Sequence, residues 1–218
     1  MIYVYYTRIG DNVCNWKYPC MNNSLSSRRL ERINACANLS KRSELAISEM
    51  LLMRILAKYG VSFSDLLYND YGKPYLPESD FHFNVSHSGA YVCCAVCTQN
   101  IGIDVENIKN RNINSIERFI SQEDFNYILS SENKLDKLYE IWTKYEAFLK
   151  CIGVGWARKV VFEFNKGNRS RIAYYRDGKI PSENEYHVIT TTFQKNYILS
   201  VCCENSICEY QLIEIDIA

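Results

Sequence analysis

No net charge remains on this chain at neutral pH, because 25 Lys and Arg offset 25 Asp and Glu. The bulk field that would gather nucleic acid or an anionic membrane is therefore missing, and any charged ligand has to be met by a local cluster. Missing too is any apolar run approaching the ~18 residues of a membrane-spanning helix. The opening segment MIYVYYTRIG has aromatic strand character, but no basic leader and no small-residue cleavage site. A cytoplasmic protein is expected, with neither nucleic acid nor membrane among its partners.

Ten cysteines do not supply a disulfide framework, since they are scattered, often doubled, and lie in apolar runs that read as strands. The single CxxC, Cys94-Ala-Val-Cys97, sits in Tyr91–Cys97, where strand alternation sends the two sulfurs to opposite faces. That pair cannot clamp one metal. Reduced cysteine packed like valine is the reading that fits.

The 218 residues suffice for one large domain or two of about 100 residues each. Ser40–Tyr59 carries apolar residues at near-helical spacing and is stopped by Gly60, with Lys41 and Arg42 in its first turn. Cations there oppose the helix dipole, a cost that a docked anion would relieve, although a solvated basic turn reads equally well. Phe81–Ser86 alternates Phe81, Phe83 and Val85 with His82, Asn84 and Ser86, which predicts a half-buried strand that turns at Ser88-Gly89 into Tyr91–Cys97. The pattern recurs in Tyr186–Phe193, a polar turn at Gln194–Asn196, and the strand beginning at Tyr197. Between the hairpins, Ser121-Gln-Glu-Asp124 opens a helix to about Leu129, and a longer helix spans Lys134–Ile152 before Gly153-Val-Gly155. The fold class expected is α+β, in two similar α+β halves with a junction near Ile101–Asn110, residues 1–103 and 104–218.

Three constellations carry chemistry. Ile101-Gly-Ile-Asp104-Val-Glu106 places two carboxylates on one strand face, close enough to share a hard cation, or else forms an acidic strand edge kept for solubility. In the long helix, Glu146 borders the stripe Leu138, Ile141, Trp142, Tyr145, Phe148, Leu149 and Ile152, and stacks with Lys150 at i, i+4. It either reaches into a cleft or makes an ordinary surface pair. Tyr71-Gly-Lys73-Pro-Tyr holds a lysine on a stiff turn, while Asn84-Val-Ser86-His87-Ser88-Gly89 crowds hydroxyls and an imidazole that suit phosphate oxygens, or simply make a turn. A Ser86, His87, Asp104 hydrolase triad is excluded, because adjacent strand residues point apart and no Gly-x-Ser-x-Gly elbow exists.

Taken in order, Gly72-Lys73-Pro74, Asn84-Val-Ser-His87-Ser-Gly89, Gly102-Ile-Asp104-Val-Glu106 and Trp142-Thr-x-x-Glu146-Ala-x-x-Lys150-x-x-Gly153-x-Gly155 resemble the larger, single-chain 4′-phosphopantetheinyl transferases. The resemblance covers about Tyr71 to Gly155. It implies two α+β halves related by a pseudo-two-fold, with coenzyme A in the cleft between them, and transfer of its phosphopantetheine arm to a serine of an apo acyl- or peptidyl-carrier protein. It further implies Mg²⁺, or Mn²⁺ in its place, on Asp104, Glu106 and Glu146, with Glu146 helping to deprotonate the serine and Lys150 pairing with the pyrophosphate. Lys73, Ser86 and His87 would meet the nucleotide end, with Lys41 or Arg42 as further contacts, and Thr192 answers to His87 in the second half. A monomer is expected, and the basic Lys109, Arg111 and Arg118 form either a surface for an acidic carrier or a solvated loop. Family members usually carry Lys immediately before the catalytic Glu, where this chain has Tyr145, with Lys144 turned away by about 100°. Tyr145→Lys is expected to tighten coenzyme A binding if that helix face lines the cleft, and to cost stability if it faces the core. Two rivals share these residues: a coenzyme A-binding module without turnover, and a Mg²⁺-dependent phosphohydrolase.

Overall fold

Apolar residues at close spacing make Ile2–Arg8 a strand (β1), with Ile2 and Val4 on one face and Tyr5 on the other, all buried. In the computed structural model the described residues are 1–10, 27–156, 160–164, 169–176, 186–205 and 209–217. Two helices follow, α1 (Ser27–Asn34) and α2 (Leu39–Lys58). The second is the helix expected from the spacing: Asn38 caps it by accepting from the Lys41 N–H, and Gly60 lies just beyond it at φ 71°. A small hairpin, β2 (Leu67–Tyr68) and β3 (Pro74–Tyr75), carries Lys73 in its turn. Then come β4 (His82–Ser88), β5 (Tyr91–Cys97), β6 (Ile101–Asn107), a 3-10 turn over Ile113–Phe119, α3 (Gln122–Ser130) and α4 (Lys134–Ile152). The last strands are β7 (Val160–Phe164), β8 (Arg169–Arg176), β9 (Tyr186–Phe193), β10 (Tyr197–Glu204) and β11 (Tyr210–Glu214).

The fold is α+β, and both expected hairpins are present, β4 with β5 and β9 with β10. One sheet runs β11-β1-β5-β4 and the other β6-β10-β9-β8-β7. Side-chain alternation stacks them into four layers. Tyr5, Cys94 and Val96 face α2 and its Leu51, Leu52, Ile55 and Leu56. Ile2, Val4, Cys93 and Ala95 face the second sheet, where Ile103, Val105, Leu199 and Val201 meet them. That sheet's other face, with Val188, Ile198 and Cys202, receives Leu138, Ile141 and Phe148 of α4. Neighbouring residues such as Cys93 and Cys94 thus serve different layers, and both are fully buried free thiols. Burial pushes the Cys93 and Cys94 thiols well up, so they pack as small hydrophobes.

Two features of the connectivity bear on the site. The boundary between residues 103 and 104 falls inside β6, which pairs along its length with β10. The chain's last strand, β11, returns to lie parallel to β1 in the first sheet. Among the described residues, no helix is long and apolar enough to cross a membrane.

Gly102 lets β6 and α4 approach closely, because a Cβ there would overlap the Ala147 carbonyl oxygen and the Cys151 backbone nitrogen. Both obstacles are helix backbone and cannot rotate aside. Gly102→Ala is expected to destabilise the fold by about 3 kcal/mol, the upper end for overpacking, as measured by urea unfolding.

Candidate active site

The polar face of β4 is not turned to solvent. Asn84 Oδ1 accepts from the Ile103 N–H at 2.9 Å, Ser86 Oγ from Val105 at 3.3 Å, and Ser88 Oγ from Asn107 at 3.1 Å. Alternate side chains of one sheet therefore satisfy alternate backbone donors of the other, in place of a backbone ladder. Asn84 and Ser86 are buried as a result, a departure from the half-buried strand that the alternation alone predicts.

The same hydroxyls orient the two carboxylates of β6. Ser86 donates to Asp104 Oδ1 at 2.9 Å, and Ser88 donates to Glu106 Oε2 at 2.7 Å. From α4, Lys150 Nζ reaches Asp104 Oδ1 at 2.7 Å and Ser86 Oγ at 3.0 Å. Ser86 thus spends its one hydrogen on Asp104 and receives bonds from Val105 and Lys150. Burial pushes the Asp104 carboxyl up to about 7; Lys150 pulls it down, while Glu106 and Glu146 push it further up. Burial also draws the Lys150 ammonium down, but Asp104 and Glu146 more than offset that and hold it above its usual value.

Glu146 enters from the facing turn of α4, where its Oε1 accepts from Trp156 Nε1 at 2.6 Å. Trp156 stacks on Trp142 with centroids 5.0 Å apart, and Phe119 stands edge-on to both. Arg111 lies over Trp142 and Arg118 over Phe119, at 4.9 and 4.5 Å. Asp104, Glu106 and Glu146 each have one oxygen held by a hydrogen bond. Among the described residues, no three acidic, His or Cys side chains are gathered closely enough to hold a metal as they stand. Asp104 Oδ2 is nevertheless buried without a hydrogen-bond partner, beside like charges that raise its pKa. An orphaned carboxylate oxygen of that kind fits a hard cation, which favours oxygen donors and relieves the repulsion.

His87 stands one residue along β4 from this cluster and lines a cavity of about 460 Å³ with Arg29, Arg32, Tyr68, Gly72 and Pro74. Its Nδ1 lies 3.1 Å from Glu44 Oε2, off the line of a hydrogen bond. Burial, then Lys150, Lys41 and Arg32, depress its pKa to about 4, so the ring is neutral near pH 7. Tyr68, Arg32 and Arg29, which pairs with Glu49, are among the cavity residues that sequence reasoning missed. The run Arg28-Arg29-Leu30-Glu31-Arg32 was the available signal, since i, i+3 spacing puts Arg29 and Arg32 on one helix face. Lys41 is exposed, and Arg42 caps the chain after α1 by donating to the carbonyls of Cys36 and Asn34. Neither is among the residues lining that cavity.

Lys73 is also placed apart from the carboxylates. Its Nζ donates to the Ile101 carbonyl at 3.1 Å and to the Cys151 carbonyl at 3.0 Å, fastening the start of β6 to the last turn of α4. Burial lowers its pKa. A cation at a helix C-terminus meets unpaired carbonyls there, which accounts for the lysine without a ligand.

Tyr145 is a core residue, 1% exposed, whose hydroxyl donates to Asp124 Oδ2 at 2.7 Å and accepts from Ser121 N at 3.0 Å. It holds the capped start of α3 and does not face the carboxylates. The expectation that lysine at 145 would tighten ligand binding is therefore corrected: the position offers an ammonium no phosphate. Lys144 is buried too and pairs with Glu140 at 2.8 Å.

Comparison with known proteins gives a consistent answer. Residues 100–202 match the model of the 4′-phosphopantetheinyl transferase superfamily. A 4′-phosphopantetheinyl transferase of Bacillus subtilis is 32% identical over 153 residues, covering 62% of this chain and 68% of that protein. The transferase Sfp of Bacillus subtilis strain 168 is 28% identical over 72% of this chain and 71% of its own length. HetI of a Nostoc species is 31% identical over 70% of this chain and 73% of its own.

Two outcomes are expected from this geometry. Tyr145→Phe, which removes the hydroxyl and leaves the Ser121 N–H short of an acceptor, should cost about 1–2 kcal/mol in urea unfolding, and Tyr145→Lys more. Between pH 4, near the folded value for His87, and pH 6.5, its ordinary value, the unfolded imidazole binds a proton that the folded one does not. Stability should therefore rise with pH across that window. Denaturant melts of His87→Gln should show a flatter dependence.

Proposed function

The chain belongs to the 4′-phosphopantetheinyl transferase superfamily, and from that premise we propose that it moves the phosphopantetheine arm of coenzyme A onto a serine hydroxyl of an apo acyl- or peptidyl-carrier protein. The observation that supports this reading most is Asp104: buried, bridged to Lys150, and carrying an unpartnered oxygen beside Glu106 and Glu146. Asp104, Glu106 and Glu146 are the residues that would hold Mg²⁺, or Mn²⁺ in its place. A bound divalent cation would supply charge neutralisation at the pyrophosphate.

The chain's own residues do the rest. Glu146 accepts the serine proton as its oxygen attacks the β-phosphorus, and adenosine 3′,5′-bisphosphate leaves. Two N–H bonds of Lys150 go to Asp104 and Ser86, and its third would meet a pyrophosphate oxygen as charge develops. Arg29, Arg32 and His87 line the cavity suited to the nucleotide phosphates. Tyr68 there, already under the Arg29 guanidinium at 5.0 Å, offers an aromatic face. Ser86 acts through Asp104 and Lys150, and Lys73 through the end of α4, so both are assigned to positioning. Lys41, whose charge is felt at His87, is retained as a long-range contribution.

Residues 1–103 and 104–218 are proposed as the two related halves, with coenzyme A in the cleft between them and β11 crossing back to the first sheet. The carrier is proposed to approach over Lys109, Arg111 and Arg118, whose cationic groups suit an acidic surface. The protein is read as a cytoplasmic monomer, without nucleic acid or membrane among its partners. The binding module without turnover loses its support, since Tyr145 lies in the core and removes no ligand from the site.

Incubation with labelled coenzyme A, Mg²⁺ and an apo carrier tests the reading. Label on the carrier is expected; free phosphopantetheine would indicate hydrolysis, and bound label alone would indicate a module without turnover. Asp104→Ala and Glu106→Ala should each lower the transfer rate by roughly 100-fold, Glu106→Ala with little change in thermal melting and Asp104→Ala with an earlier melt, because it leaves the Lys150 ammonium unpaired. Undiminished transfer in EDTA would sink the metal assignment.

A further inference from the structure

We propose that Ser88 is a positioning residue for Glu106, setting the carboxylate's orientation toward a divalent cation; the inference rests on the metal reading given above. Ser88 Oγ does two things at once. It accepts from the Asn107 N–H at 3.1 Å and donates to Glu106 Oε2 at 2.7 Å. A hydroxyl that receives a bond from the next residue's backbone has its own hydrogen directed elsewhere, and here it is directed to a carboxylate oxygen. One oxygen of Glu106 is thereby taken, and the rotation of the group about its last bond is set.

The hydroxyl is itself held in place by the turn that follows it. Gly89 adopts φ 58°, and a Cβ there would lie 2.7 Å from the Tyr197 hydroxyl oxygen. That oxygen accepts from the Ala90 N–H at 3.0 Å, and the Tyr197 ring, 5% exposed, stands edge-on to Tyr91 at 5.0 Å. The β4–β5 turn is thus docked on β10, and Ser88 cannot shift along β6 without breaking that dock. Asn84 provides the contrast within the same strand: its Oδ1 accepts from the Ile103 N–H, a backbone group, whereas Ser88 also reaches a carboxylate. The register of β4 places an acceptor for backbone alone at 84 and one that also orients a carboxylate at 88.

Outer partners of metal ligands typically contribute 10–100-fold to metal affinity. Manganese binding to the intact chain in the presence of coenzyme A, read from the electron spin resonance of free Mn²⁺, measures the effect directly. Ser88→Ala should bind Mn²⁺ about tenfold more weakly, while Ser88→Thr, which keeps the hydroxyl, should restore binding. Asn84→Ala should melt earlier but keep its Mn²⁺ affinity. If Ser88→Ala does not fold, Ser88→Cys keeps the volume with a weaker donor and should show the same direction of change. Unchanged Mn²⁺ affinity in the serine variants, with affinity lost in Asp104→Ala, would overturn the role of Ser88 and leave the metal reading intact. No Mn²⁺ binding by the unmodified chain would overturn both.

Discussion

The edge of β6 that faces away from β10 carries backbone N–H groups that must be satisfied away from water, and the oxygens that satisfy them come from side chains of β4. An unpaired buried donor costs about 1–3 kcal/mol, so three of them fix the relation of the two sheets firmly. Side-chain acceptors do more than close the edge. Two of the three carry a hydrogen, and both hydrogens go to site carboxylates. Inter-sheet cohesion and the orientation of the β6 carboxylates therefore rest on the same side chains.

Helix α4 shows how one element can serve several neighbours when its residues turn by about 100° each. Lys144 pairs with Glu140, Tyr145 reaches the cap of α3, Glu146 meets Trp156, and Ala147 lies against Gly102. A turn later Lys150 meets Asp104, and Cys151 offers its carbonyl to Lys73. The Lys150–Asp104 pair is not an efficient source of stability, because desolvating two charges offsets most of their attraction. The pair leaves Asp104 Oδ2 buried without a partner.

Much of the fold was legible because it is periodic. The 3.6-residue spacing gave α2 and α4, the capping motif at Ser121 gave α3, and alternation gave both hairpins. The candidate site was legible in part. Asp104, Glu106, Glu146 and Lys150 are brought to one region, but Lys73 and Ser86 are engaged by the protein itself, and Lys41 and Arg42 lie outside the cavity lining. Arg29 and Arg32 line it instead, from a helix that follows a segment without clear periodicity.

The sequence by itself determined α2, α3, α4, the two hairpins, the i, i+2 carboxylate pair and the order of motifs, because each reports backbone geometry within a few residues. Only the tertiary structure decided that β11 joins β1, that Tyr145 faces the core, and that the polar face of β4 is buried against β6. A polar side chain of a given type and spacing can bond to solvent, ligand or protein. Which of these it meets depends on what distant segment packs opposite it, and for Lys73 that segment includes Cys151, 78 residues away. Local periodicity carries no record of such a partner, so the division of labour between binding and holding the fold together emerges only when the layers are assembled.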